Sequence, residues 1–231
     1  MLLYLYNQYM KLNTITTLLT PTLISGSLIP ALFITTSCAK ETGELVCLGD
    51  SLTDLSNYDL YVAATLQLNG SVNYGICGST VSSLGPSPFI YRYANMYKYP
   101  KIVIVDGGYN DAMYYDCPIG NPSDKDGNTF YGALNILLPG LQSIYQNSWI
   151  FYMTPFYYDD RVTSLEPYIN AIVDRCQYYN MDCFNIFNND FPFDFTKDTY
   201  DGLHVTQEYT INTWTPKICE YIQAHYPNRN I

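Results

Sequence analysis

The stretch Glu44–Thr53, ELVCLGDSLT, decides the fold that the sequence predicts. It begins as a short apolar run, breaks at Gly49, and places Asp50 and Ser51 where a strand would pass into a helix. A serine there has its side chain at the carboxyl edge of a parallel sheet and its backbone N–H at a helix N-terminus, where unpaired N–H groups favour negative charge. Because Gly, Asp and Ser are also common in turns and helix caps, the stretch alone leaves a catalytic and a purely structural interpretation open.

From Glu44 onward, short apolar runs alternate with longer amphipathic ones, which is typical of βαβ units and a parallel sheet. The apolar runs are rich in Val and Ile and do not alternate with polar residues, as expected for strands covered on both faces. Five strands are predicted, at Leu45–Leu48, Val72–Tyr74, Ile102–Val105, Trp149–Thr154 and Cys183–Phe187. Helices are predicted at Tyr58–Leu68, Phe89–Tyr97, Tyr131–Tyr145, Leu165–Tyr179 and Gln207–His225. Pro216 should interrupt the last helix.

Composition restricts the function classes. The 231 residues suit one domain, since 48% are hydrophobic and 14% are charged. The formal net charge of -10 argues against a protein that binds nucleic acid by neutralising phosphates. The 25 tyrosines offer apolar faces with polar tips, which suit sugar-binding surfaces and equally suit half-buried positions.

The N-terminal residues 1–39 are predicted to be an export signal. A positive charge at Lys11 is followed by an apolar stretch without charge until Lys40, with small residues at its end. The pattern fits better if translation starts at Met10 rather than Met1. The mature chain, residues 40–231, is then a single domain, and we expect the protein to be secreted or attached to the cell surface.

Cys38 is the candidate for lipid modification after cleavage, although Thr35 stands where a large aliphatic residue is usual. A lipid anchor is the only membrane contact that the sequence suggests. An uncleaved membrane anchor is disfavoured because helix-breaking residues interrupt the stretch. These are Pro21, Gly26 and Pro30.

The chain contains seven cysteines: 38, 47, 77, 117, 176, 183 and 219. Loss of Cys38 leaves an even number, compatible with disulfides in an exported protein, and Cys176 with Cys183 is the first pair to test. The apolar contexts of Cys47 and Cys77 instead suit buried thiols. No Cys or Cys/His spacing of the zinc type occurs, so a structural metal is not expected.

Polar residues follow the predicted strands at the sheet edge where an open parallel sheet binds its ligands. The first strand ends in Gly49-Asp50-Ser51, and the second runs into Asn73–Thr80. The third ends in Asp106–Asp111, and a loop after the fifth carries Asp201-Gly202-Leu203-His204. These stretches should meet in one crevice.

The four stretches resemble the SGNH hydrolase family, also called GDSL esterases and lipases. Gly49-Asp50-Ser51-Leu52 is the family's first block, Gly108-Tyr109-Asn110-Asp111 matches its Gly-x-Asn-Asp, and Asp201-Gly202-Leu203-His204 matches its Asp-x-x-His. They occur in the family's order from the first strand to the last helix. The resemblance implies a three-layer, flavodoxin-like α/β sandwich with a five-stranded parallel sheet. It also implies ester hydrolysis through an acyl-enzyme, without a cofactor.

Acyl transfer needs a nucleophile, a base and a group that orients the base. Ser51 is the predicted nucleophile. The base is His204 or His225, and His204 is preferred because Asp201, three residues earlier in a glycine-containing turn, can fix its tautomer. His225 is interpreted as an exposed histidine at a helix terminus.

Three donors are predicted for the oxyanion: the Ser51 N–H, the Asn110 side-chain amide and the N–H of a glycine. In the family, the block-two glycine follows a strand-ending asparagine by five positions. The spacing from Asn73 to Gly78 fits, so Gly78 is preferred as the donor, and Gly75 is the alternative.

Asp50 and Asp111 adjoin predicted catalytic residues, but both are interpreted as structural carboxylates that accept backbone N–H bonds in tight turns. The substrate pockets should be built by the loops 82–88, 114–128 and 157–163, whose shape the motifs do not determine. Tyrosine-rich loops and the export signal favour an acylated, for example acetylated, carbohydrate. The alternatives are a lipase or lysophospholipase, and an exported glycan-binding protein without activity. We expect a monomer whose partner is a glycan, lipid or small-molecule ester.

Overall fold

The computed structural model describes residues 19–24, 27–32, 43–158, 160–188 and 191–226. The chain divides into two compact units, Met1–Lys40 and Glu41–Ile231. In the first, β1 (Leu19–Ile24) pairs antiparallel with β2 (Ser27–Leu32), and Leu19 lies opposite Leu32. Met1, Met10 and Cys38 lie outside the described residues, so the export signal, its start and its lipidation stay predictions. None of the described helices has the length and apolar character that a bilayer span requires.

The second unit is built on a five-stranded sheet in the order β4-β3-β5-β6-β7, in which every neighbouring pair is parallel. The strands are β3 (Leu45–Gly49), β4 (Ser71–Gly75), β5 (Ile102–Asp106), β6 (Trp149–Met153) and β7 (Asp182–Phe184). All five predicted strands are therefore confirmed. The last is shorter than predicted and ends at Phe184.

Helices connect the strands and follow the last one. They are α1 (Ser51–Ser56), α2 (Tyr58–Thr65), α3 (Phe89–Arg92), α4 (Tyr109–Met113), α5 (Phe130–Ile144), α6 (Val162–Tyr178), α7 (Phe195–Asp198), α8 (Gln207–Tyr209) and α9 (Thr215–His225). The predicted helix Phe89–Tyr97 is wrong in its second half, which is a 3-10 turn at Tyr93–Asn95. The predicted interruption near Pro216 takes the form of a π-helical segment, Thr210–Trp214, just before the proline.

Both faces of the sheet are covered by helices. Side chains of β3 and β5 alternate between the faces, and all of them are buried. Val46 and Val103 belong to the hydrophobic cluster that contains α5 and α6, whereas Leu45 and Ile102 belong to the cluster that contains α2 and α9. This burial explains the uninterrupted apolar runs. The chain thus has the three-layer α/β sandwich with a five-stranded parallel sheet that the sequence predicted.

The register of the sheet brings three functional loops together. Gly49, the last residue of β3, pairs with Gly75 of β4 on one side and with Asp106 of β5 on the other. The loops that carry Ser51, Gly78 and Asn110 therefore leave adjacent strands at the same edge. The predicted crevice at the carboxyl ends of the strands has its physical basis in this register.

The six described cysteines are free thiols. Cys47 is buried as predicted, but the prediction for Cys77 is wrong because β4 ends at Gly75 and leaves Cys77 exposed in the following loop. The side chains of Cys176 on α6 and Cys183 on β7 are hydrogen-bond neighbours. The structure therefore does not contain the disulfide that the sequence suggested as the first pair to test.

Candidate active site

The serine turn lies between β3 and α1. Ser51 is the first residue of α1 and is 9% exposed, and Asp50 caps the helix by accepting the Leu52 N–H at 2.9 Å. A Cβ at Gly49 would stand 1.8 Å from the Thr53 hydroxyl oxygen, so no larger residue fits without displacing α1. Gly49 therefore makes room for the turn and Asp50 holds it, which confirms the interpretation of Asp50 as a structural carboxylate.

Ser51, His204 and Asp201 form one chain of hydrogen bonds. The Ser51 Oγ is 2.9 Å from His204 Nε2, and His204 Nδ1 is 2.7 Å from Asp201 Oδ2. The other Asp201 oxygen accepts the backbone N–H of Leu203 and of His204. Burial acts to raise the pKa of Asp201, but these bonds outweigh it and the pKa is lowered. An ionised carboxylate at this distance favours the tautomer with its proton on Nδ1, which leaves Nε2 as the acceptor of the hydrogen bond from the Ser51 hydroxyl.

The loop of His204 is held from two sides. The Tyr158 hydroxyl donates to the Leu203 carbonyl at 3.0 Å. The Tyr200 N–H donates to the His204 carbonyl at 3.0 Å, and the Tyr200 ring lies 5.8 Å from the imidazole at an interplanar angle of 20°. These contacts restrict the imidazole to the orientation that faces Ser51.

His225 does not join the site. It is the last residue of α9, where its Nδ1 lies 2.8 Å from the Tyr221 carbonyl and its ring stacks on Tyr221. The interpretation of this histidine as a helix-terminal residue is confirmed.

The structure separates the two glycines proposed as oxyanion donors. The Gly75 N–H donates to the Asn73 side chain at 2.7 Å and is therefore occupied. Gly78 has a φ of +74°, in a turn that the Ser79 N–H closes on the Ile76 carbonyl. Its N–H has no hydrogen-bond partner among the described residues, and Gly78 lines the cavity beside Ser51. This geometry favours Gly78.

Asn110, the third predicted donor, also lines the cavity and is 5% exposed. Its side-chain nitrogen donates to the Ser79 carbonyl at 2.9 Å and to the Asp50 carboxylate at 3.3 Å. The shorter bond anchors the amide to the loop of Gly78. The longer bond is the weaker one and points to the serine turn.

Three buried carboxyl groups lie beneath the cavity, and none of them faces solvent. Asp111 accepts the backbone N–H groups of Val81 and Ser82, each at 2.8 Å, which confirms its structural interpretation. Burial raises the pKa of Asp50 to about 7. Burial and the nearby Asp50 raise the pKa of Asp106 well above its usual range.

The cavity at this edge has a volume of about 390 Å³. Besides Ser51, Gly78, Asn110 and His204, its walls are Leu55, Cys77, Tyr114, Tyr115 and Leu203. None of the described lysines and arginines lines it. Tyr114 and Tyr115 line the cavity, and Tyr200 stacks on His204 beside it. These three side chains, which we call the tyrosine rim, are 62%, 36% and 62% exposed. Among the described residues, no group of three metal-ligating side chains is arranged to hold a metal ion.

Sequence reasoning missed Tyr158 and Arg92. Arg92 donates hydrogen bonds to the carbonyls at the ends of β3 and β4. It belongs to no motif, but it is the only charged residue in the stretch 60–97. This isolation was the one feature of the sequence that could have indicated a structural role for Arg92, because a lone charge among uncharged residues usually has a specific partner.

The sequence profile of the GDSL-like Lipase/Acylhydrolase family matches residues 45–210. The chain belongs to this family. The motifs quoted above lie within the matched region, and the SGNH hydrolase resemblance is confirmed. As a member of the GDSL family, the chain is a carboxylic ester hydrolase. No curated protein matches the chain.

Solved structures share the GDSL-family fold of this chain. A protein from Lactobacillus plantarum is 25% identical, with a TM-score of 0.71 over 78% of this chain and 96% of that one. A family two carbohydrate esterase from Clostridium thermocellum, in complex with cellohexaose, is 16% identical, with a TM-score of 0.57 over 79% and 64% of the chains. An acetyl xylan esterase is 15% identical, with a TM-score of 0.58 over 77% and 98%. The likeness to the two esterases concerns the fold.

Proposed function

We propose that the protein is a serine esterase that hydrolyses carboxylic esters through an acyl-enzyme, with Ser51 as nucleophile, His204 as base and Asp201 as the group that orients the base. The observation that carries this proposal is the unbroken hydrogen-bond chain from the Ser51 hydroxyl to the Asp201 carboxylate, at 2.9 and 2.7 Å. Such a chain activates an otherwise weak hydroxyl nucleophile.

The reaction proceeds in two halves. Ser51 Oγ attacks the ester carbonyl while His204 Nε2 takes its proton, and the proton then passes to the leaving alcohol as the ester C–O bond breaks. A water molecule next gives a proton to His204 and attacks the acyl-enzyme. His204 returns the proton to Ser51 Oγ, and the acid leaves.

Each tetrahedral intermediate carries an oxyanion. Its donors are the N–H groups of Ser51 and Gly78 and the Asn110 side chain. Asn110 can exchange its long bond to Asp50 for a bond to the oxyanion while the Ser79 carbonyl keeps the amide in place. Donors that are fixed before the reaction stabilise the developing charge without reorganisation.

The substrate that we propose is a carbohydrate carrying a short acyl group such as acetyl. Three features support it: a cavity of about 390 Å³, the exposed tyrosine rim, and the absence of lysine and arginine from the walls. Tyrosine rings offer apolar faces to sugar rings and hydroxyls to their polar edges. The cellohexaose complex and the acetyl xylan esterase among the structural neighbours agree with this choice.

The proposal is tested by turnover of p-nitrophenyl acetate. We expect Ser51→Ala to lose at least about a thousandfold in kcat, because the acyl-enzyme cannot form. The matched control is Ser56→Ala, which removes a buried hydroxyl from the same helix, bonded only to the Leu52 carbonyl and the Tyr58 N–H. Equal turnover by Ser51→Ala and the wild type would refute the serine mechanism, and no turnover by either protein would favour a glycan-binding protein without activity.

A panel of substrates tests the proposal that the natural substrate is an acylated carbohydrate. Acetylated xylan and cellulose oligosaccharides should be hydrolysed with a higher kcat/KM than p-nitrophenyl esters, and the rate on those esters should fall as the acyl chain lengthens. A rate that rises with chain length, or preference for lysophospholipid, would identify a lipase instead.

We also propose that the chain is exported and acts as a monomer outside the cell or on its surface. The charge and apolar pattern of residues 1–39 supports cleavage. Mass spectrometry of the exported protein should find an N-terminus between Cys38 and Glu41. An exported protein that still begins at Met1 or Met10 would contradict cleavage.

A further inference from the structure

Arg92 connects the loops that supply the oxyanion donors. At the end of α3, its Nη2 donates to the Gly49 carbonyl at 2.7 Å and to the Ser79 hydroxyl at 3.0 Å. Its Nη1 donates to the Tyr74 carbonyl, and its Nε donates to the Ser87 carbonyl at 3.0 Å. One guanidinium therefore ties together β3, β4 and the loop that follows β4.

Two of these acceptors are close in the chain to proposed donors. Gly49 lies two residues before Ser51, and Ser79 directly follows Gly78. The Ser79 carbonyl in turn accepts the Asn110 amide at 2.9 Å. The three donors come from three different loops, so their mutual distances depend on what holds the loops together.

The linkage at Arg92 is strong for a physical reason. Hydrogen bonds from a charged guanidinium to carbonyls contribute about twice as much as neutral ones. Burial lowers the pKa of Arg92 to about 10, so the group is still charged at neutral pH. Its guanidinium carbon lies 4.7 Å from the centre of the Phe89 ring, which restricts its orientation. A lysine lacks the planar fork needed to reach several carbonyls at once.

We infer that Arg92 is a positioning residue that sets the spacing of the oxyanion donors by clamping the ends of β3 and β4 to the loop that carries Ser79. The inference rests on the proposed serine mechanism. It does not make Arg92 a catalytic residue, because the guanidinium bonds backbone and side-chain atoms of the protein and does not line the cavity.

The role has a kinetic signature. Oxyanion donors act on charge that develops in the transition state, whereas the ester carbonyl is neutral when substrate binds. A change in their spacing should therefore lower kcat and leave KM nearly unchanged. A loss of folded protein alone would lower the apparent kcat only in proportion to the unfolded fraction.

The experiment compares Arg92→Ala and Arg92→Lys with Arg175→Ala on p-nitrophenyl acetate, with thermal unfolding measured for each. Arg175 is the matched control because it also donates to a carbonyl, that of Pro122, and lies over the ring of Tyr178. The assay is run at a temperature below the unfolding transition of every variant. We expect kcat to fall at least about tenfold in both Arg92 variants, while KM stays within about twofold of the wild-type value. Arg175→Ala should keep the wild-type kcat.

A kcat within twofold of the wild type in the Arg92 variants would overturn the inference, and so would an equal fall in Arg175→Ala. If Arg92→Ala does not fold, Arg92→Lys decides, because it keeps the charge and loses the fork. Ser51→Ala separates the two proposals. An inactive Ser51→Ala beside fully active Arg92 variants refutes only the role of Arg92, whereas an active Ser51→Ala refutes the serine mechanism itself.

Discussion

Two regions at the same edge of the sheet differ in how their side chains are held. The polar layer beside Ser51, which we call the buried polar layer, consists of the buried Asp50, Asn110 and Asp111 and the half-buried Arg92. Each of these side chains makes at least one hydrogen bond to another loop or to the serine turn. The tyrosine rim above it, Tyr114, Tyr115 and Tyr200, is largely exposed. The contrast suggests that the interior determines the reaction and the surface loops determine the substrate.

The difference follows from what each region has to do. Oxyanion donors lose their effect if they must reorganise during the reaction, so they need partners in a site that excludes water. Residues that contact the rest of a substrate only need to present complementary surface, and loops can vary without disturbing the core. Variants of the two regions should therefore differ in which kinetic constant they change.

The largest effect is expected in the buried polar layer. Asn110→Ala should lower kcat for p-nitrophenyl acetate by about a hundredfold to a thousandfold, because one oxyanion donor is lost. KM should change by less than about threefold, since the neutral ester makes little use of that donor. Steady-state kinetics at a temperature where the variant is folded measures both constants.

Asn135→Ala is the control for Asn110→Ala. Asn135 also donates from its side chain to two backbone carbonyls, those of Pro122 and Asp124, away from the cavity. The kcat of Asn135→Ala should equal that of the wild type. An unchanged kcat in Asn110→Ala would show that the amide is not an oxyanion donor. The two regions would then not differ in the kinetic constant that they affect.

An intermediate effect is expected at the tyrosine rim. Tyr114→Ala should raise KM for an acetylated oligosaccharide by about threefold to tenfold, which corresponds to about 0.7–1.4 kcal/mol of binding free energy. kcat for p-nitrophenyl acetate should stay unchanged, because the acetyl group does not depend on a sugar-binding surface. Tyr99→Ala is the control, since Tyr99 is 80% exposed and precedes β5 at the opposite edge of the sheet. Equal KM values in wild type and Tyr114→Ala would show that Tyr114 does not contribute to substrate binding.

The smallest effect is expected in stability, at Asp106. Burial raises the pKa of Asp106 in the folded protein well above its ordinary value of about 4. Above that ordinary value the unfolded chain loses the proton while the folded chain keeps it, so the free energy of unfolding falls as pH rises. Asp106→Asn should therefore lose less stability than the wild type between pH 5 and pH 8.

Thermal unfolding at the two pH values measures this difference. We expect the decrease in Tm from pH 5 to pH 8 to be about 2–4 °C smaller in Asp106→Asn, which corresponds to about 1 kcal/mol for a chain of this size. Asp116→Asn, at an exposed position, should show the wild-type dependence. Parallel curves for Asp106→Asn and wild type would mean that this carboxyl group is ionised alike in both states.

Much of the site could be predicted because its residues stand next to strand ends. Ser51, Asn110 and His204 were each placed at the sheet edge from local pattern, and the structure brings all three to one cavity. The choice between Gly75 and Gly78 needed the structure, since it depends on whether the Asn73 side chain occupies an N–H.

The sequence by itself determined the parallel sheet and the serine turn, because apolar periodicity and turn chemistry are local properties. Its motif resemblance also singled out Ser51, Asp201 and His204. Only the tertiary structure decided the 2.9 Å approach of His204 to Ser51, the contacts of Arg92 with the ends of β3 and β4 and with Ser79, and the place of tyrosines beside the cavity. These contacts depend on how separate loops pack at one edge of the sheet. No local pattern encodes that packing, because its energy comes from partners distant in the chain.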